Sequence, residues 1–341
     1  MLDRNKYIDY IKGITIILVI IPHCIQYGSG STYLNECFFY DNVLFKFIYS
    51  FHMPVFMMIS GYLFKYSISR HSFGAIIKSR ITNLLIPILV WNSIYVIIQN
   101  YLISDETLNV FYWESYIKNL WFLWAVLWNS LLILLVHNFY HDSIIIYIIL
   151  FVILLFIPHR YNSNYYVFMY PYFLIGYIIN NSTYSIISII KDKLSTHFAT
   201  IIISIIFLLL LSMYSREDYV YTSKTNVLLE RHISFHMIFI DIYRWSIGFI
   251  GSFLFWRITQ FLYRHFMTNS ITTSLINIGT KTMGIYIISD YAFRFFYLLP
   301  IKSLNYLYIS IEVLCILALS YFITKAIGKE QHLRIVLLGG R

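Results

Sequence analysis

The chain has 341 residues, of which 59% are apolar or aromatic and only 12% are charged. Soluble domains carry roughly 25% charged residues, so this composition excludes a soluble fold with an ordinary charged surface. A net charge of +9 would suggest nucleic-acid binding in a soluble protein, but here the cations lie in short segments between apolar stretches, so no nucleic-acid partner is expected. The three cysteines are too few for a disulfide framework, and we expect isolated buried thiols.

Ten apolar stretches predict transmembrane helices, since a helix needs about 20 apolar residues to cross the hydrocarbon. In chain order they are 8–28, 43–64, 81–103, 119–136, 144–158, 165–180, 198–214, 234–256, 279–298 and 305–324. The first is too long for the apolar region of a signal peptide, and we expect it to be an uncleaved span. The predicted fold class is therefore all-α: a polytopic membrane helical bundle of about ten helices, with residues 1–341 as one integral-membrane domain.

The distribution of Lys and Arg predicts that both termini are cytoplasmic. With the N-terminus inside, the cytoplasmic segments hold fifteen Lys and Arg and the external segments hold six. Membrane proteins keep such residues on the cytoplasmic side. The bundle is expected to lie in a lipid bilayer that borders the cytoplasm.

The first span carries polar side chains on one face. Lys12 and His23 are eleven residues apart, which brings them within about 20° of the same direction and about 16 Å apart along the axis. Asp9 lies on the same stripe, three residues before Lys12, and is able to pair with it. Pro22 removes a backbone hydrogen bond beside His23 and predicts a kink. Intramembrane charges usually mark function, although interfacial anchoring by Asp9 and Lys12 and a structural His23 are the alternative.

The second span supplies another histidine. His52 has a predicted depth similar to that of His23, so the two can serve one site, and histidine suits proton transfer near neutral pH. Two histidines can also bind a metal ion, but no third ligand has useful spacing, so no metal is expected. Ser60, later in the span, is a candidate hydrogen-bond donor to a reaction oxyanion.

Further candidates lie near the third and fourth spans. Lys78 and Arg80 lie at the start of the third span, at the predicted cytoplasmic boundary. Trp121 opens the fourth span, and Trp113 lies in the external segment before it. An indole can stack against a sugar, but an interfacial aromatic belt explains such residues as well.

Two acidic and basic pairs at helical spacing lie in later spans. Asp241 and Arg244 are three residues apart in the eighth span, and Asp290 and Arg294 are four apart in the ninth. Such pairs more often neutralise each other inside the protein than take part in catalysis.

Taken in order, these residues resemble the bacterial membrane acyltransferase family 3, nearest to the branch that acetylates surface sugars. The matching segments are Lys12-x10-His23, 51–56, 60–62, 80–87, 120–123, 171–177, 278–280 and 284–286. The resemblance runs from about residue 4 to residue 325, nearly the whole chain.

The resemblance implies an acyltransferase that moves acetyl from cytoplasmic acetyl-CoA to a hydroxyl of an extracytoplasmic or lipid-linked glycan. His23 would hold the catalytic position, Lys12 the basic position associated with the donor, and Arg80 the first arginine of a donor-side Arg-x-x-Arg motif. Asn83 stands where the second arginine is common, which bears on how the CoA phosphates are held. Ser289 stands where many members have histidine, which suggests that this position is not the essential base.

The residues by themselves support the same mechanism. A bulky anionic donor inside and an acceptor outside require a polar path through the bilayer, which the stripe from Asp9 to His23 can provide. A neutral His23 can remove the proton of an attacking hydroxyl. The predicted site residues are His23 and His52 for catalysis, Lys12, Lys78 and Arg80 for the donor, and Ser60, Trp121 and Trp113 for the substrate.

Two other readings of the sequence stay open. A transporter or flippase of a lipid-linked sugar or small anion would also use intramembrane ionisable residues, although no internal repeat relates the two halves of the chain. A non-catalytic membrane partner of glycan assembly becomes plausible if His23 is dispensable. The sequence also leaves open whether the protein forms a homo-oligomer.

Overall fold

The protein is all-helical in the computed structural model, which describes residues 5–29, 38–102, 116, 119–157, 162–180, 197–220, 235–297 and 303–340. Within these ranges no strand occurs, which confirms the predicted all-α class. The α-helices are α1 (Lys6–Gly28), α2 (Val43–Tyr49), α3 (His52–Ile68), α4 (Phe73–Arg80), α5 (Ile86–Leu102), α6 (Trp121–Tyr140), α7 (Ile144–Leu154), α8 (Ser163–Ile179), α9 (His197–Met213), α10 (Phe235–His265), α11 (Ser270–Gly279), α12 (Thr282–Tyr297), α13 (Tyr306–Ile327) and α14 (Gln331–Leu338).

Helices occupy all ten apolar stretches that were predicted to span the membrane. Among the described residues, six helical segments are long and apolar enough to cross a bilayer: Lys6–Gly28, Val43–Ile68, Phe73–Ile98, Trp121–Tyr140, Phe235–His265 and Tyr306–Ile327. The number of about ten spans and the cytoplasmic termini stay predictions. Helices α4 and α14 lie in segments that had been assigned to the cytoplasm, and α11 lies between the cytoplasmic segment after the eighth predicted span and the start of the ninth.

The second predicted span is broken between α2 and α3. Pro54 has no N–H to donate to the carbonyl of Ser50, four residues earlier, and its ring crowds that carbonyl. The chain turns at Ser50 and Phe51, and the helical ladder resumes when the N–H of Val55 donates to Phe51 O at 3.0 Å. His52 therefore lies at the first residue of α3.

The third predicted span contains a π-helical turn. Residues Ile81–Leu85 form this turn between α4 and α5, and the N–H of Ile86 donates to Ile81 O, five residues back. Pro87 explains the interruption, because it cannot donate to the carbonyl of Asn83, its partner in a regular α-helix. The π-helical turn follows directly after Arg80.

The helices group into two compact units, each built from separate stretches of chain. The first unit takes its described residues from 1–59, 181–223 and 239–325, and the second from 60–180, 224–238 and 326–341. In the first unit, α1 packs chiefly against α11 and α12, and in the second α6 packs chiefly against α8. The prediction of one domain over residues 1–341 stays a prediction.

Glycines permit the closest helix contacts in both units. Gly13 of α1 faces Gly279 of α11 so closely that a Cβ on Gly13 would lie 2.8 Å from the Leu275 carbonyl carbon. In the second unit, a Cβ on Gly61 of α3 would lie 2.9 Å from the carbonyl carbon of Phe173 in α8. Small residues let helix backbones approach in this way in membranes. Two of the segments that carry the family resemblance, 60–62 and 171–177, thus meet as a packing contact.

Candidate active site

His23 lies half-buried in α1, next to α12. Its ring centre is 4.8 Å from that of Phe293, a buried side chain of α12. Asp290 and Arg294, also of α12, act electrostatically on the His23 ring. As expected from their spacing, these two residues pair, with Arg294 Nε 3.3 Å from Asp290 Oδ2. An imidazole, a carboxylate and a guanidinium therefore share this end of the first unit.

Gln26 is a member of the site that the sequence analysis missed. It lies one turn after His23, is 1% exposed, and its side-chain amide acts on the His23 ring, as Asp290 and Arg294 do. Within the described residues, its carbonyl oxygen Oε1 is buried and has no hydrogen-bond partner. A buried carbonyl in this state costs about 1–3 kcal/mol, which usually indicates a functional or a structural reason to keep it. The sequence contains one signal that could have identified Gln26, namely a polar glutamine three residues after the histidine inside an apolar helix.

His52 lies in the same unit and is 2% exposed. Its Nδ1 is 2.9 Å from Ile48 O, and because a carbonyl can only accept, Nδ1 carries the proton. This tautomer leaves Nε2 with a lone pair. His23 acts electrostatically on the His52 ring, so the first unit brings the two predicted catalytic histidines within electrostatic range.

Lys12 forms the ion pair with Asp9 that the sequence predicted. Lys12 Nζ lies 3.3 Å from Asp9 Oδ1, and the side chains are 17% and 6% exposed. The pair lies beside the contact between Gly13 and Gly279, where α1 and α11 touch. It places a mostly buried positive charge three helical turns before His23 on the same helix.

Lys78 and Arg80 belong to the second unit. Lys78 is exposed, whereas Arg80 is half-buried and its guanidinium lies over the ring of Phe64 at 4.7 Å. Asn83, at the position where the second arginine of the motif is common, uses its amide locally. Its Nδ2 donates to Ser79 Oγ at 3.0 Å, and its Oδ1 accepts from Thr82 Oγ1 at 3.0 Å.

The three predicted substrate residues have different outcomes. Ser60 is half-buried in α3, one residue before the close contact at Gly61. Trp121 is the first residue of α6, and its ring centre lies 5.2 Å from that of Tyr165. Trp113 lies outside the described residues. Ser60 and Trp121 both belong to the second unit, as do Lys78 and Arg80.

A second polar cluster, also missed from the sequence, surrounds Asp142 in the turn between α6 and α7. Asp142 accepts hydrogen bonds from Tyr147 at 2.7 Å and Tyr177 at 2.9 Å, and lies 3.0 Å from His137 Nδ1 and 3.4 Å from Lys65 Nζ. Burial raises the pKa of the Asp142 carboxyl, but the hydrogen bonds from Tyr147, His137 and Tyr177 outweigh that effect and hold it below its ordinary value of 3.8. This carboxylate thus ties the turn to α3 and α8.

Two further sequence predictions concern Ser289 and metal ions. Ser289 is 1% exposed, and its hydroxyl donates to Tyr286 O at 3.0 Å. The hydroxyl is therefore hydrogen-bonded within its own helix, α12. In the part of the chain that the structure describes, no three His, Cys, Asp or Glu side chains are grouped closely enough to hold a metal ion.

Comparison with known families identifies the chain's relatives. A family model described as an acyltransferase domain matches residues 5–327. The chain belongs to acyltransferase family 3. The match includes Lys12, His23 and Arg80, and it ends before α14 begins.

Three similar proteins align over only part of this chain. Nodulation protein NolL of Sinorhizobium fredii is 38% identical over 142 residues, which cover 38% of this chain and 36% of that protein. NolL of Mesorhizobium japonicum is 36% identical over 148 residues, 42% of this chain and 38% of that protein. The Inner membrane protein YcfT of Escherichia coli is 33% identical over 93 residues, a quarter of each chain. The chain thus aligns with well under half the length of these relatives, and no solved structure matches it.

Proposed function

We propose that this protein is a membrane O-acetyltransferase that moves an acetyl group from cytoplasmic acetyl-CoA to a hydroxyl of a surface or lipid-linked glycan. The observation that carries the proposal is the family match over residues 5–327, which includes a half-buried histidine on a membrane helix. The proposed location is the bacterial inner membrane. The name of the E. coli relative, an inner membrane protein, supports that location.

His23 acts as the general base in this proposal. The hydroxyl oxygen of the acceptor attacks the thioester carbonyl carbon, and the hydroxyl proton passes to His23. The tetrahedral intermediate then collapses, the carbon–sulfur bond breaks, and the departing CoA thiolate takes up the proton from the imidazolium. The products are an acetyl ester and CoA, and His23 returns to its neutral form.

The surroundings of His23 support this role. Asp290 lies close enough to stabilise an imidazolium, and the carbonyl oxygen of Gln26, unpartnered among the described residues, can accept a hydrogen bond from the ring once it is protonated. His52 keeps an unprotonated Nε2 while its Nδ1–H is held by Ile48 O, so it is the second candidate for proton transfer or for orienting the acceptor.

Cationic side chains serve the donor in this proposal. Lys12 supplies a positive charge in α1 that is held by Asp9, and Arg80, with Lys78 nearby in sequence, supplies charge before the π-helical turn. Guanidinium groups bind phosphates bidentately, whereas ammonium groups act as point charges. Ser60 and Trp121 remain proposed substrate residues on the strength of the motifs in which they stand, and Trp113 remains one because an external indole can stack against a sugar.

The decisive experiment measures acetyl transfer by purified His23→Gln protein. Labelled acetyl-CoA is supplied with the lipid-linked glycan extract of the source cells, and labelled glycan and free CoA are counted. Glutamine keeps hydrogen bonding and approximate size but takes no proton near neutral pH, so we expect a loss of about 10²–10⁴-fold. Wild-type protein that consumes no acetyl-CoA would contradict the acetyl-donor assignment.

His265→Gln is the matched control for this experiment. His265 is an exposed histidine of the same unit whose Nδ1 bonds to Phe261 O at the end of α10, and its replacement should leave the rate unchanged. A His23→Gln protein with activity within a few-fold of wild type would remove His23 as the base and direct attention to His52.

A further inference from the structure

The C-terminal helix α14 lies beyond the family match, which ends at residue 327. It is nevertheless a well-formed element. The Glu330 carboxylate accepts from Leu333 N–H at its start, and Gly339, with a φ of +63°, closes its end as its N–H donates to Ile335 O at 3.1 Å. Both ends of the helix are therefore capped, which favours a defined position over fraying.

The capped end of α14 docks on the third span. The indole N–H of Trp91, in α5, donates to Leu337 O at 2.9 Å, and Leu338 is buried. Gly339 then lies directly against the backbone of Asn83, in the middle of the π-helical turn. A Cβ on Gly339 would meet the Asn83 carbonyl oxygen and would lie 2.6 Å from its Cα.

This contact falls where the third span is least constrained by its own hydrogen bonds. Pro87 cannot donate to the Asn83 carbonyl, so the helix can close this turn in more than one register. A π-helical turn contains one residue more than an α-helical turn, and each residue rotates the side chains by about 100°. The register of this turn therefore decides the direction of Arg80 relative to α5.

We infer that α14 is a positioning element of the donor site. Gly339 packs on Asn83, and the Leu337 carbonyl accepts from the Trp91 indole N–H. Through these contacts α14 holds the π-helical turn in the register that presents Arg80 to the anionic part of CoA. The contact between Gly339 and Asn83 is made by a helix that lies beyond the family match. It supports the turn at the position where Asn83 replaces the usual second arginine. The inference rests on the proposed donor role of Arg80.

Gly339→Ala in the full-length protein tests the inference. The purified variant is titrated with CoA by calorimetry, and its kinetics are measured with acetyl-CoA and the glycan extract. Loss of one charge-assisted hydrogen bond lowers affinity by about tenfold or more, so a shift of the turn that removes such a bond between Arg80 and CoA should weaken CoA binding by about tenfold. The KM for acetyl-CoA should rise with it, and the acceptor KM should stay unchanged, which a general loss of folding would not produce.

Gly340→Ala is the matched control. Gly340 has a φ of +75°, so alanine is strained there as well, but its Cβ would meet nothing nearer than Ile335 Cγ1 at 4.0 Å. Trp91→Phe, which removes the hydrogen bond to Leu337, should weaken CoA binding in the same direction as Gly339→Ala. If Gly339→Ala and Trp91→Phe both bind CoA as Gly340→Ala does, the inference is overturned.

The Arg80→Ala variant distinguishes a failure of this inference from a failure of the proposed donor role of Arg80. Loss of CoA binding in Arg80→Ala together with normal binding in Gly339→Ala would overturn the positioning role of α14 alone. Normal CoA binding by Arg80→Ala would overturn the donor role of Arg80, and the inference with it.

Discussion

Gln26 carries a buried carbonyl oxygen beside His23, and its replacement should lower the activity without lowering the stability. Methionine has a similar volume and no group that needs a hydrogen bond, so Gln26→Met removes a burial cost of about 1–3 kcal/mol from the folded state. It also removes the oxygen that can accept a hydrogen bond from the protonated His23 ring. We expect a thermal midpoint equal to or above that of wild type, with a turnover number about tenfold lower, since a charge-assisted bond contributes about 1.5–3 kcal/mol.

Differential scanning fluorimetry and acetyl-transfer kinetics on one preparation give both numbers. Gln26→Glu keeps an oxygen near the ring and should recover part of the lost rate. A Gln26→Met protein with wild-type turnover would mean that His23 needs no support from this side chain.

At the residue scale, helical spacing predicted pairs within one helix and missed partners from elsewhere. The pair of Lys12 and Asp9 and the pair of Arg294 and Asp290 follow from three- and four-residue spacing, and both are present. The contact of His23 with Phe293 joins residues 270 positions apart in the chain. Only tertiary packing determines such neighbours, and a single sequence does not contain them.

At the element scale, the turn between α6 and α7 depends on the charge of Asp142. The carboxyl has a lowered pKa in the folded protein, so its ionised form stabilises the fold. That contribution is complete above the ordinary value of 3.8 and is lost as the pH falls through the lower folded value. We expect the thermal midpoint in detergent to fall as the buffer is taken from about pH 5 to about pH 3.

Asp142→Asn isolates the charge in this test. Asp142 has a φ of +62°, and asparagine tolerates this left-handed backbone as aspartate does, so the turn itself should persist. The variant should be less stable at neutral pH and should have a weaker pH dependence in the acid range. An equally steep acid loss in Asp142→Asn would assign the effect to other carboxylates.

Hydropathy predicted where the helices lie along the chain, whereas proline residues explain where two of the predicted spans are interrupted. Within the described residues helices occupy all ten apolar stretches, because twenty apolar residues have few alternatives in a bilayer. The break before His52 and the π-helical turn after Arg80 trace to Pro54 and Pro87, yet both stretches had been treated as continuous. Short helices such as α14 were missed since they carry too little apolar sequence to signal a span.

At the scale of the whole molecule, the positive-inside distribution predicts which loops face the cytoplasm, and one helix provides the test. Helix α10 has 31 residues and is about 46 Å long, more than the roughly 30 Å of the hydrocarbon. Thr268 follows it in a predicted cytoplasmic segment, and Glu217 lies in the predicted external segment before it. Both side chains are exposed and both belong to the first unit.

Single cysteines at these two positions, with the native cysteines replaced by serine, report the orientation of α10. A membrane-impermeant maleimide should label Glu217→Cys in intact cells and should label Thr268→Cys only after the membrane is opened. Equal labelling of both in detergent controls for reactivity. Equal labelling of both in intact cells would place them on one side, which is incompatible with α10 as a span. That result would also contradict the predicted placement of the donor side inside and the acceptor side outside. This placement depends on the same count of fifteen inside cations against six outside.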